Sequence, residues 1–146
     1  MTRLQRMGVA TLAVPALALV MLPGSAPAQT GPPPPSVVLK LGAKAPLNST
    51  GKLIKVKVKI TCNNAKPAPI HAEVTQSRGS VQAHGAGDSS ANYKCNGRTQ
   101  FGVVPVKADT GNRFHTGGAS ATANVTLMGL DGTPASANDA RNIQLT

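Results

Sequence analysis

The residues of this chain able to do acid–base or metal chemistry are few: three histidines and five acids. His71, His84 and His115 could bind a metal together with Asp88 or Asp109, yet no two histidines stand at the close spacings of metal sites. His71 and Glu73 are two apart, so a strand turns both to the same outer face, and solvated surface groups are the simpler reading. Asp109-Thr110-Gly111 has the lettering found around aspartic-protease carboxylates. That chemistry needs two carboxylates sharing a proton about 3 Å apart. A single copy set among Lys107, Asn112 and Arg113 reads instead as an ordinary turn. The chain has no Gly-x-Ser-x-Gly nucleophile elbow and no Gly-x-x-x-x-Gly-Lys-Ser/Thr phosphate loop. The expectation is a non-enzyme with no cofactor, no catalytic residues and no metal.

Charge is the feature with functional content. Fifteen Lys and Arg against five acids give a net charge of +10. Between residues 29 and 72 lie Lys40, Lys44, Lys52, Lys55, Lys57, Lys59 and Lys66, and the first acid is Glu73. Lys55, Lys57 and Lys59 alternate with Ile54, Val56, Val58 and Ile60, so a strand would show lysine on one side and hydrocarbon on the other. Successive lysines on that side are about 7 Å apart. Such a face attracts anionic cell-envelope polymers or a lipid surface through its long-range field. The blander reading is that lysines keep an exposed sheet soluble and prevent edge-to-edge association. Nucleic acid is disfavoured, because stacking aromatics and arginines are missing from this stretch.

The elements that must carry these side chains all show a period of two. Residues 53–62 form the clearest strand, half-buried and hence typical of antiparallel sheets. Residues 37–41 predict a shorter strand before it, with residues 51–52 as the turn between. Further strands are expected at 70–77, 99–107 and 119–127, with a brief edge strand at 81–84 and a short closing strand at Ile143 and Leu145. Pro105 indicates a bulge or an edge position. Residues 85–90 and 109–118 read as loops, and Asn96-Gly97 as a hairpin turn. Seven or eight short strands predict an all-β, antiparallel immunoglobulin-like β-sandwich, with a small closed barrel as the second choice. The Trp of true immunoglobulin domains is missing, and the two cysteines are closer in sequence than usual there.

Residues 1–28 read as a signal peptide: Arg3 and Arg6, an apolar run over 9–22, then small residues with Ala26 and Ala28 before the cleavage point. The run is too short to span a bilayer, which takes about 20 apolar residues, so no stable span is expected after cleavage. Residues 29–36, with four consecutive prolines, form a stiff linker, and residues 37–146 a single domain. Loss of the leader takes two arginines with it and leaves a net charge of +8. An exported chain with two cysteines predicts one disulfide, Cys62–Cys95, which closes a loop worth about 3–4 kcal/mol. Asn48-Ser49-Thr50 and Asn124-Val125-Thr126 are glycosylation sequons, relevant where the source glycosylates its exports.

The stretch from Val56 to Cys62, then Val74-Thr75-Gln76, Cys95-Asn96-Gly97, Phe114 and Gly117-Gly118-Ala119-Ser120-Ala121, resembles uncharacterised small secreted bacterial proteins with a single immunoglobulin-like β-sandwich domain. The resemblance implies export and the fold, and brings no site residues. The expected function is a secreted or extracellular, cell-wall-associated, non-enzymatic protein that binds anionic envelope or extracellular components through Lys55, Lys57 and Lys59. The alternative is a small-molecule carrier or protease-inhibitor module that works through end loops 79–90 and 109–118.

Overall fold

In the computed structural model, which describes residues 31–146, the described chain is built of strands and turns without a helix. The signal peptide expected at residues 1–28 lies outside the described residues. Nine strands follow in order: β1 (Ser36–Leu41), β2 (Lys44–Ala45), β3 (Leu53–Asn63), β4 (Ala65–Lys66), β5 (His71–Arg78), β6 (Val81–Asp88), β7 (Asn96–Ala108), β8 (Gly117–Gly129) and β9 (Pro134–Leu145). They make one hydrogen-bonded sheet in the order β1-β3-β7-β6-β5-β8-β9-β2, with β4 attached to β8. Alternating Ile54, Val56, Val58, Ile60 and Cys62 on β3 join Val104 and Val106 of β7, Ala72 and Val74 of β5, and Ala121, Ala123, Val125 and Leu127 of β8 in one buried core. Phe114, from the loop before β8, is buried in the same core.

This continuous sheet curls into a half-barrel, where the sequence pattern leads one to expect two separate layers. Two local devices explain the curl. At one corner β6 pairs with β7 through Gly85↔Ala108 and Ala86↔Lys107 alone, while its other side runs along the whole of β5. A Cβ added at Gly85 would overlap the Lys107 carbonyl oxygen, and one at Gly87 would overlap that of Pro105. Only glycine lets the strands cross so closely. Composition makes 85–90 look like a loop and 81–84 like a brief edge strand; in fact β6 runs to Asp88 and lies inside the sheet.

At the opposite seam β1 and β9 lie side by side, and side chains of β9 take the place of a backbone ladder. Asp139 Oδ2 accepts a hydrogen bond from the Leu41 amide at 2.7 Å. Arg141 Nη1 donates to the Leu41 carbonyl at 2.9 Å. The last strand is twelve residues long, paired with β8 from Pro134 to Leu145, not the short closing piece expected around Ile143 and Leu145. Asn96-Gly97 is not a hairpin turn either. It opens β7, with Gly97 at φ +76, beside a register shift between Thr61 and Asn63 of β3.

The disulfide joins Cys62 of β3 to Cys95, the residue before β7, with Cα atoms 4.5 Å apart. It staples two neighbouring strands of one wall rather than two facing layers. Tyr93, two residues earlier, tucks beneath the chain: its hydroxyl donates to the Ala68 carbonyl and accepts from the Ala68 amide at 3.0 Å. Burial pushes the Tyr93 phenol pKa up, and the Ala68 hydrogen bond works against that shift.

Candidate anion-binding face

The lysines of β3 stand where the alternation requires. Lys55, Lys57 and Lys59 are exposed, and the intervening Ile54, Val56, Val58 and Ile60 are buried. The register then supplies neighbours that no local pattern could. Lys59 stands opposite Lys40 of β1 on one side and Phe101 of β7 on the other. Lys57 is opposite Val103, and Lys55 opposite Pro105. One row along, Thr61 lies between Val38 and Thr99, and the two threonine hydroxyls are 2.7 Å apart. With strands about 4.8 Å apart and same-face residues about 7 Å apart along each strand, four lysines occupy one short stretch of surface.

Nothing among the described residues neutralises these charges. The ion pairs there all involve histidine, and no lysine has a carboxylate within reach. Lys40 directly opposite Lys59 is a like-charge cross-strand pair, an arrangement that destabilises a sheet by up to about 1 kcal/mol. Lys59 Nζ lies 5.5 Å from the centre of the Phe101 ring, a cation–π contact that partly offsets that repulsion. The acids lie elsewhere: Glu73 on β5, Asp88 on β6, Asp109 just after β7, Asp131 in the β8–β9 turn and Asp139 at the seam.

The other chemistry-bearing residues form small surface pairs. His71 Nδ1 is 2.9 Å from Asp88 Oδ1, and its Nε2 is 3.3 Å from Glu73 Oε1. The Asp88 hydrogen bond raises the His71 pKa above 6.5, burial pulls it back, and Glu73 adds to the rise. His84 Nδ1 is 2.7 Å from Asp109 Oδ2, which ties the Asp-Thr-Gly segment to β6. The Asp109 carbonyl accepts from the Asn112 amide at 3.1 Å, and Gly111 has φ +86, so the segment is a turn. Asn48, the first sequon asparagine, is engaged in its own turn: its Oδ1 accepts from the Lys52 and Leu53 amides and its Nδ2 donates to Thr50.

The loops expected at the ends of the sheet are replaced in part by the β5–β6 hairpin. An open cleft of about 560 Å³ lies between the tip of that hairpin and the loop ahead of β8, lined among others by Arg78, Val81, Arg113 and His115. Gln76, only 3% exposed, fastens the two together. Its side-chain nitrogen donates to the His115 and Gly118 carbonyls, and its side-chain oxygen accepts from the His115 amide.

The outward direction of Lys55, Lys57 and Lys59 and the pairing of Cys62 with Cys95 are legible in the sequence, whereas the neighbours Lys40, Phe101 and Val103 come to the lysine strand only through the sheet register. In the middle of β7 the outward Phe101, Val103 and Pro105 and the inward Val104 and Val106 are all apolar, so only Thr99 and Lys107 towards its ends mark the wet side. No protein-family model matches the chain, and neither a curated protein nor a solved structure matches it.

Proposed function

We propose that this chain is a secreted, cell-wall-associated, non-enzymatic protein that binds anionic envelope or extracellular components through Lys55, Lys57 and Lys59 of β3, joined by Lys40 of β1. The observation that carries this reading is the uncompensated charge: Lys40, Lys55, Lys57 and Lys59 share one exposed sheet face with Lys107 of β7, and no described carboxylate pairs with any of them. Repulsion between Lys40 and Lys59 is tolerated there, and a field of this kind concentrates polyanions near the surface. The disulfide fits an oxidising, non-cytoplasmic compartment. Among the described residues no helix is long and apolar enough to cross a membrane. For the architecture we infer an immunoglobulin-like sandwich whose two walls, β1-β3-β7 and β6-β5-β8-β9, stay joined at the Gly85–Gly87 corner.

The test is polyphosphate binding by the wild-type protein and by a variant combining Lys55→Ser, Lys57→Ser and Lys59→Ser. The variant is expected to bind at least tenfold more weakly at low salt. Equal affinity of the two proteins removes the face from the account.

A second reading is favoured by the cleft near Gln76. Arg78, Arg113 and His115 around about 560 Å³ suit a small anionic molecule, and the protein would then act as a carrier. Under that reading Arg78→Ser together with Arg113→Ser abolishes uptake of a small carboxylate, while the lysine variant leaves it intact.

A further inference from the structure

The outer face of β1-β3-β7 is not only basic. Six large apolar side chains are exposed among the described residues, and three of them, Val38, Phe101 and Val103, share the lysine face. Phe101 is 77% exposed, Val38 54% and Val103 49%. Each sits one strand from a lysine or a threonine that lies beside one: Phe101 across from Lys59, Val103 across from Lys57, and Val38 across from Thr61. An anionic polymer requires the charges and gains little from exposed phenylalanine and valine. A hydrated anionic bilayer uses both, because lysines reach the headgroups while apolar side chains enter the boundary with the acyl chains. A second copy of this chain is disfavoured, since the same face would meet its own lysines.

We propose that the β1-β3-β7 face is a peripheral docking surface for an anionic lipid bilayer, with Phe101 and Val103 as the inserted residues and Lys40, Lys55, Lys57 and Lys59 as the headgroup contacts. The inference rests on the anion-binding reading above and narrows its ligand to lipid. The sheet presents both sets of side chains on one side of adjacent strands, so all can meet a surface together without a change of backbone. Lys59 keeps its ammonium close to the Phe101 ring, 5.5 Å from its centre, so charge and hydrocarbon arrive at the same point. Each lysine brought to an anionic surface strengthens binding about fivefold. Placing a phenylalanine ring partly in the interface is worth about tenfold.

The chain contains no tryptophan, so Phe101→Trp gives a single reporter at the centre of the face. The purified oxidised protein is mixed with vesicles of phosphatidylglycerol and phosphatidylcholine, with vesicles of phosphatidylcholine alone, and with soluble polyphosphate. The expected result is a blue-shifted emission from the introduced indole, quenched by brominated acyl chains, with phosphatidylglycerol vesicles only. In the otherwise wild-type background, Phe101→Ser with Val103→Ser lowers vesicle affinity at least tenfold, leaves polyphosphate affinity within about twofold, and costs no more thermal stability than the lost Lys59–Phe101 contact. Binding to vesicles and polyphosphate without a spectral shift, or unaffected by the double substitution, overturns lipid docking while the anion-binding reading stands. Equal binding to phosphatidylcholine alone overturns the headgroup role of the lysines. Failure to bind either anionic probe overturns both readings.

Discussion

His71 is held between two carboxylates at the surface, Asp88 at 2.9 Å and Glu73 at 3.3 Å. Their hydrogen bonds raise its folded-state pKa above 6.5, the value expected of the unfolded chain. Protonated His71 therefore stabilises the fold, fully below pH 6.5, and the gain is lost as pH rises through the folded value. All three side chains are at least a third exposed, so the effect is expected to stay below about 1 kcal/mol. Urea denaturation of the wild type and of His71→Asn should show a stability gap below pH 6.5 that narrows as pH rises through the folded value; a gap that widens with pH contradicts this assignment. Gln76 makes the contrast at this scale. It is a buried polar residue with its amide oxygen and nitrogen both engaged, and it serves the loop ahead of β8 rather than any titration.

At the scale of elements, β1 and β9 meet through Asp139 and Arg141 instead of a ladder. Asp139→Ala leaves the Leu41 amide without its acceptor, which should lower stability by about 1–3 kcal/mol and speed hydrogen exchange at Leu41 selectively. Unchanged exchange there would mean that the seam is held by packing alone. At the other corner Gly87→Ala pushes a Cβ into the Pro105 carbonyl and should separate β6 from β7, seen as a loss of several degrees in Tm; a neutral effect would mean that this crossing is loose. Both devices explain where the sequence was readable and where it was not. β3 was legible because β-branched residues and lysines alternate without interruption. β9 was not, because its inward positions are Ala135, Ala137, Asp139 and Arg141, and small or charged residues mask the period of two. β6 was hidden for the same sort of reason, since Gly85 and Gly87, required by a close crossing, have the composition of a loop. The lysines of the candidate face were visible locally, whereas Phe101 and Val103 joined them only through the β3–β7 register, a non-local pairing.

For the whole molecule, the thin aliphatic core and the charge asymmetry belong together. Leu, Ile, Val and Phe make up just under 20% of residues 29–146, a composition at the margin of folding for a charged chain. The bond from Cys62 to Cys95 closes a 33-residue separation and should contribute about 3–4 kcal/mol. Reduction is expected to lower the urea midpoint sharply and, by letting the unfolded chain expand, to steepen the slope; an unchanged midpoint would assign the stability to packing. A fold with so little to spare still leaves Lys40, Lys55, Lys57 and Lys59 without a carboxylate partner on one face, its five acids being spread over other elements. That polarity is the basis of the proposed function. Affinity for polyphosphate, measured from low to physiological salt as the screening length falls from about 30 Å to about 8 Å, tests it most directly. A steep loss of affinity in the wild type, with weak and nearly salt-independent binding once Lys55, Lys57 and Lys59 are replaced by serine, is the predicted result; wild-type binding that is absent or indifferent to salt contradicts it.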